Sequence, residues 1–401
     1  MLWQGRSLEA ALPRALRAID DPSDRALARN IAALALRWLP GLDELIDERT
    51  KRVLPDDARA RMVLRLALVQ ALVLKTPDHA VVATSLPLVE GGPRRLVHGV
   101  LSAVLKSGES LPERPTLPEP WQTRWRRNWG DAAVLAAEKA LPLPPPLDLS
   151  HTPGASLDIE GESLLPGHLR VAAEGRVEDL PGFESGTFWV QDLAASLPAR
   201  VLAAQAGERV NDLCSAPGGK TMQLAAAGAR LTSVDNSGAR LDRLRENLAR
   251  TGLTAEIVEA DARVFSAPEP AHAVLLDAPC SGTGIFRRHP DVLYLRDPER
   301  MQQTLDLQAK LLAHAATLVR PGGRMVYSVC SLEPEEGEAQ VQSFLDAAPE
   351  WRVDDIPEGA LPEGLRSTTP GILRTKPGDL ADKGGLDGFF VARLVRSAAT
   401  G

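Results

Sequence analysis

Cysteine is scarce in this 401-residue chain, with three present: Cys214, Cys280 and Cys330. An odd count without close CxxC or CxxH spacing argues against a disulfide framework and a structural zinc site, and it implies a reducing compartment. No metal is expected. Aromatic residues are few, at 4%, which by itself decides nothing about class. Long apolar runs are missing too. The most apolar stretch, 63–75, is broken by Arg65 and Gln70 and falls short of the ~20 residues that span a bilayer. The first twenty residues carry charges where a signal peptide needs an uninterrupted apolar region. A cytoplasmic protein without membrane insertion is expected. A dinucleotide GxGxxG is also absent, which removes a NAD-dependent dehydrogenase.

What is present reads as globular. Hydrophobic residues make up 44% and charged residues 25%, values that exclude general disorder, and the length implies two or three domains. The net charge of −7 is unevenly spread: residues 1–135 hold 20 Lys and Arg against 16 Asp and Glu, leaving the acidic excess to the rest. A basic first domain on an acidic second one suits contact with a polyanion.

From Ser7 to Ser107 apolar residues recur at helical spacing, as in Leu27, Ile31, Leu34 and Trp38. Breaks at Asp21-Pro22, Pro40-Gly41, Thr76-Pro77 and Gly91-Gly92-Pro93 divide the segment into about five or six helices of an all-α bundle. A proline-rich linker follows at 141–154. Short alternating stretches up to residue 200 predict a small β-rich connector, so the expected domains are 1–135, 136–200 and 201–401. From Arg209 strand and helix alternate, predicting a doubly wound α/β sheet. Its strands fall at RVNDLC, LTSVD, AEIVEAD, HAVLLDAP and GRMVYSVC. The last strand, FFVARLV, is expected as the antiparallel edge.

All three cysteines follow apolar strands in Gly, Ser or Pro-rich turns, where an α/β sheet keeps its ligand crevice. The first such turn is Asp212-Leu-Cys214-Ser215-Ala216-Pro217-Gly218-Gly219-Lys220. Paired glycines let a ligand approach a helix N-terminus. A Walker loop is excluded because its first Gly would fall at Cys214. Asp235 ends the second strand, where a carboxylate can hold ribose hydroxyls. Asp261 ends the third, placed for an adenine amino group, and Asp277 ends the fourth. Any one of these acids alone reads more readily as an ordinary helix cap; together in register they point to an adenosine ligand. Cys214 reads as a small buried hydrophobe.

The segments DLCSAPGGKT, SVDNS with Arg240, EADAR, LLDAPCSGTG and YSVCSLEPEEGE resemble the successive motifs of the Nop2/Sun group of S-adenosylmethionine-dependent RNA cytosine-C5 methyltransferases. The helical start, with Thr76-Pro-Asp-His79 and VHGVLSAVLK, is similar to the NusB-like domain of the bacterial small-subunit rRNA members. The resemblance implies an all-α NusB-like bundle followed by a class I, Rossmann-like methyltransferase domain. It also implies S-adenosylmethionine as cofactor, unassembled rRNA as partner and a monomer. Two departures stand out: the segment 150–200 lacks a clear counterpart of the family's RNA-binding βα element, and the chain begins close to its first helix, so a few residues are expected to be missing there.

Site roles follow from the same resemblance. Residues 214–220 with Asp235, Arg240, Asp261 and Asp277 would bind the cofactor. Cys330 would add to C6 of cytosine, because C5 is a poor nucleophile until a thiolate does so. Cys280 would promote loss of the C5 proton and enzyme release, while Asp277 and Lys220 would engage N3 of the flipped base. The reverse assignment, with Cys280 as nucleophile, remains open, as in DNA cytosine methyltransferases. So do a tRNA substrate and an inactive, cofactor-binding assembly factor. Trp121, Trp125 and Trp129 beside Arg124, Arg126 and Arg127 could stack on RNA, but an amphipathic helix packing its Trp face inward is the preferred reading. Arg287-Arg288-His289 is the better phosphate candidate.

Overall fold

The structure, a computed structural model, describes residues 5–172, 175–298 and 301–398. Two compact units form: Met1–Pro144 with Phe286–Pro298, and Pro145–Ile285 with Glu299–Gly401. Among the described residues no helix is long and apolar enough to cross a membrane, and no group of His, Cys, Asp and Glu is arranged to hold a metal ion.

The first unit is helical: α1 (Leu8–Ala15), α2 (Pro22–Arg37), α3 (Leu39–Asp47), α4 (Arg59–Leu72), α5 (Asp78–Ser85), α6 (Gly91–Ser107) and α7 (Glu119–Ala140). Local chemistry sets the ends. Asp21 caps α2 by accepting from Ser23 N at 2.7 Å, with Pro22 at the first position, where its missing N–H costs nothing. Gly108 closes α6 in the left-handed region. The core is built from Leu42, Ile46, Leu64, Leu68, Val97 and Leu101, all fully buried. α7 runs across residue 135, and Gly130 interrupts it with φ of 80°.

Several arginines counted toward the basic balance lie inside this unit. Arg61 and Arg65 are buried and paired with Asp47 and Asp43 at 2.6 Å each. Arg37 is buried as well, donating to the carbonyls of Leu141 and Arg287. The local excess of positive charge is therefore partly internal rather than displayed to a polyanion.

Segment 286–298, with the short helix Val292–Leu295, is part of this unit's core. Trp121 and Trp125 are each 1% exposed. Trp121 Nε1 donates to Leu293 O at 2.7 Å, and Trp125 lies 5.4 Å from the Phe286 ring. Tyr294 donates to Leu36 O at 2.9 Å. The inward reading of the Trp face holds for these two residues, which leaves them no face for RNA bases. Arg287, at 6% exposed, is buried, and so is not the open phosphate contact expected of it.

The second unit opens with an antiparallel sheet of β1 (Leu147–His151), β2 (His168–Val171) and β3 (Phe188–Val190), in the order β2-β1-β3. Asp148 anchors it, accepting from Arg170 Nε and Nη2 at 2.7 and 2.8 Å and from Leu193 N at 2.9 Å. The last bond ties the sheet to helix 193–202, so the connector is built into this unit.

The main sheet comprises β4 (Arg209–Leu213), β5 (Arg230–Asp235), β6 (Glu256–Glu259), β7 (Ala271–Asp277), β8 (Val319–Val329), β9 (Trp351–Val353), β10 (Ile372–Thr375) and β11 (Phe389–Arg396). Its order is β10-β11-β8-β7-β4-β5-β6, with β9 also paired to β11. Strands β4 to β8 are parallel, and β11 is antiparallel to β8. β11 is not the edge, as the sequence reading had it. β10 and β9 cover it, and its Phe390 to Ala392 are fully buried.

Alternation along β7 explains its continuous apolar run. Val274 and Leu276 face one core with Leu311 and Leu312, while Ala273 and Leu275 face the other with Leu193 and Leu197. A strand covered on both faces needs hydrophobic residues at every position. The chain leaves β4 for β5 and β6, then returns past β4 to β7. That reversal opens a crevice at the carboxyl ends of β4 and β7.

Candidate active site

Five strand ends, those of β4 to β8, carry the residues of this site. After β4 comes the turn Cys214–Gly219, leading into helix 219–226. Gly218 has φ of 107°, and a Cβ there would lie 2.2 Å from Leu244 Cδ1, so only glycine fits. The Ala216–Pro217 peptide is cis. Ser215 N donates to Val234 O at 3.1 Å, Ala216 N to Asp235 Oδ2 at 3.2 Å, and Asn247 Nδ2 to Pro217 O at 3.2 Å. Arg240 reaches the carbonyl of Ala216 and lies 3.5 Å from Asp235 Oδ2.

A cavity of about 200 Å³ is lined by Cys214, Asp235, Asn236, Arg240, Asp261 and Pro279, with Leu307 and Leu311 as apolar wall. A second, of about 230 Å³, is lined by Asp212, Ser215, Gly219, Lys220 and Asp277, and also by Cys214. The donor set fits S-adenosylmethionine: carboxylates at the ribose end, an apolar wall for adenine, and, lining the second cavity, Asp212, whose buried Oδ1 has no hydrogen-bond partner. Asp261 is already engaged, its carboxylate held by Arg263 at 2.5 Å. That contact and the backbone of Arg263 bring it down to about 2. Burial pushes Asp212 up to about 7, against the hydrogen bond from Thr221 and the charge of Lys220. Burial, then the charges of Asp277 and Asp235, push Cys214 up to about 12. It packs against the core of the sheet, as the hydrophobe reading expects.

Beyond β7 and β8 the other two thiols meet, Cys280 Sγ 3.4 Å from Cys330 Sγ. The hydrogen bond to Cys330, then burial and the charges of Cys330 and Glu336, hold Cys280 well above the ordinary thiol range. Beside them Lys220 Nζ donates to Asp277 Oδ2 at 2.8 Å, and Ser328 Oγ donates to Oδ1 at 2.9 Å. Burial opposes the Lys220 charge, but Asp277 outweighs it and the ammonium is raised overall. Its other side faces the Phe389 ring at 5.4 Å.

Residues that sequence reasoning did not single out hold these loops. Ser281, Thr283, Ser331, Gln308 and Glu336 form a buried polar cluster behind the thiols. The run LEPEEGE lies in a segment that carries the family resemblance, but the resemblance assigned its glutamates no role.

The chain matches two family models: "16S rRNA methyltransferase RsmB/F" over residues 199–395 and the NusB family over residues 2–106. It is similar to the "Ribosomal RNA small subunit methyltransferase B" of Cronobacter sakazakii, 33% identical over 98% of this chain and 95% of that one. The protein of the same name from Xylella fastidiosa is 34% identical over 98% and 94%. Among solved structures, PH0851 aligns with a TM-score of 0.76 at 22% identity, covering 95% of this chain and 93% of that one. NSun6 from Pyrococcus horikoshii aligns at 0.57 and 20% identity over 70% and 98%, so both show the fold. On these similarities and this site, the chain belongs to the ribosomal RNA small subunit methyltransferase B family and is an S-adenosylmethionine-dependent RNA methyltransferase.

Proposed function

We propose that this chain methylates C5 of a cytosine in small-subunit ribosomal RNA, with Cys330 adding covalently to C6. The observation that carries the reading is the pair of thiols 3.4 Å apart, set beside the Lys220–Asp277 pair at the ends of adjacent strands. The ribosomal substrate rests on the names of the relatives.

A base in structured RNA must first leave its stack, at a cost of a few kcal/mol, so unassembled RNA is the favoured substrate. S-adenosylmethionine supplies an electrophilic methyl group when bound. Asp235 would hold its ribose hydroxyls, Asp261 its adenine amino group once Arg263 moves aside, and residues 214–220 its methionine portion with Arg240 bracing the turn. Asp277 already receives hydrogen bonds at both oxygens, so it acts as the acceptor for the N4 amino group of the base, and for N3–H once N3 has taken a proton, with Lys220 fixing its orientation.

Cys330 carries the attack in this reading, as the motif resemblance implies, and Cys280 serves as the proton-transfer partner beside it. As the Cys330 sulfur–C6 bond forms, the Cys280 proton passes to N3, and C5 becomes nucleophilic enough to take the methyl group. Cys280, now a thiolate, removes the C5 proton. The C5–C6 double bond re-forms, the sulfur–C6 bond breaks with Cys330 leaving as thiolate, and the N3 proton goes to solvent.

The test is incubation of unmodified small-subunit RNA with enzyme and cofactor, followed by bisulfite sequencing and nucleoside mass spectrometry. The expected product is 5-methylcytidine at a discrete position. A methyl group on another atom or another base overturns the reading.

A further inference from the structure

The ladder between β7 and β8 ends where Ala278 N donates to Ser328 O at 2.9 Å, so the loops that carry both thiols need other restraints. Glu336 supplies the central one. It is 0% exposed, and its two oxygens accept from one residue: Oε1 from Ser281 N at 2.8 Å and Oε2 from Ser281 Oγ at 2.5 Å. Gln308 Nε2 donates to the same Oε1 at 3.2 Å and to Pro279 O at 2.9 Å. Both chain neighbours of Cys280, Pro279 and Ser281, are thereby gripped. The clasp continues to the other thiol loop: Ser281 Oγ lies 3.1 Å from Ser331 Oγ, and Gly284 N donates to Cys330 O at 3.1 Å.

A buried carboxylate is costly unless donors saturate it. Here its placement fixes the residue after Cys280 at backbone and side chain together. We infer that Glu336 is a positioning residue for the release half of the reaction, holding the Cys280 thiol against Cys330 through its clasp on Ser281. This rests on the proposed covalent reaction, in which Cys280 must reach the C5 proton while Cys330 is bonded to C6.

Two variants of the full chain test it. Gln at 336 can keep the clasp, because its carbonyl accepts from Ser281 N and its amide donates to Ser281 Oγ; Ala cannot. The first readout needs no RNA: diamide takes two electrons and two protons from the Cys280 and Cys330 thiols, is reduced to its hydrazine, and leaves one of three free thiols. Wild type and Glu336→Gln should cross-link at similar rates, and Glu336→Ala slower by on the order of 10²-fold if the thiol shifts by about an ångström. The second readout adds RNA and cofactor. Glu336→Ala should retain adduct formation but accumulate covalently bound RNA, which a merely destabilising substitution does not produce.

Should Glu336→Ala not fold, Ser281→Ala, which drops the hydroxyl links to Glu336 and Ser331, is expected to show the same direction. Wild-type cross-linking and release in the Ala variants overturn the inference. So does a Gln variant that behaves like Ala, because charge rather than the clasp would then be responsible. If wild type and all variants form no adduct, the covalent reading falls, and the cross-linking rates still decide the clasp.

Discussion

Lys220, at the start of a helix after β4, holds Asp277, at the end of β7, through a 2.8 Å hydrogen bond between two largely buried charges. Removing one partner of such a pair leaves the other uncompensated. Lys220→Met should therefore lower turnover by about 10²- to 10⁴-fold, the range for loss of a group that manages a proton or charge at the reacting base. Single-turnover kinetics with saturating cofactor checks it, and wild-type turnover would remove Lys220 from the catalytic set.

The two thiols should respond differently. Cys330→Ala should reduce turnover by roughly 10³-fold or more and form no covalent adduct. Cys280→Ala should leave the Cys330 thioether unreleased, so a band of RNA-bound enzyme should build up on a denaturing gel when cofactor is present. A trapped band with Cys330→Ala and none with Cys280→Ala reverses the roles. Full activity without trapping in either variant would falsify covalent catalysis by this pair.

Asp235 is buried, with Ala216 N on one oxygen and Ser237 N on the other. Asp235→Ala should weaken S-adenosylmethionine binding by ~1.5 to 3 kcal/mol, the range for hydrogen bonds to a charged group. Isothermal calorimetry reads this directly; unchanged affinity would exclude Asp235 from the ribose contact.

Asp212 introduces a pH dependence. Its folded value of about 7 lies above the ordinary 3.8, so the native state holds a proton that the unfolded state releases first. Its stabilising contribution is full below about 4 and is lost as pH rises through about 7. Denaturant unfolding of wild type against Asp212→Asn should show stability falling with pH over that window in wild type, with a shallower fall in the variant. Parallel curves would show that Asp212 titrates normally.

Trp121 is a structural prediction. Fully buried and bonded to Leu293 O, it should cost ~3 to 5 kcal/mol when replaced by Ala, measured by chemical unfolding. A loss well under 1 kcal/mol would mean that segment 286–298 is not held through this residue.

Much of the fold is legible in the sequence. The helical breaks at Pro22, Pro77 and Gly91 and the inward Trp face follow from periodicity and turn chemistry, which act within a few residues. So does the alternation of strand and helix after Arg209. Glu336 was not legible. Its neighbours suggest a solvated acidic run, and only the approach of two loops fifty residues apart in sequence buries it against Ser281.

By itself, then, the sequence determined the elements and the inventory of the site. The Gly218–Gly219 turn, the acids ending successive strands and the cysteines after two of them depend on side-chain period and backbone conformation, which are local. Tertiary structure alone decided that β11 lies inside the sheet, that Arg37, Arg61 and Arg65 are internal, that residues 286–298 join the helical unit, and that Cys280 and Cys330 meet 3.4 Å apart. Each of those depends on burial and on which distant groups become neighbours, and packing sets both.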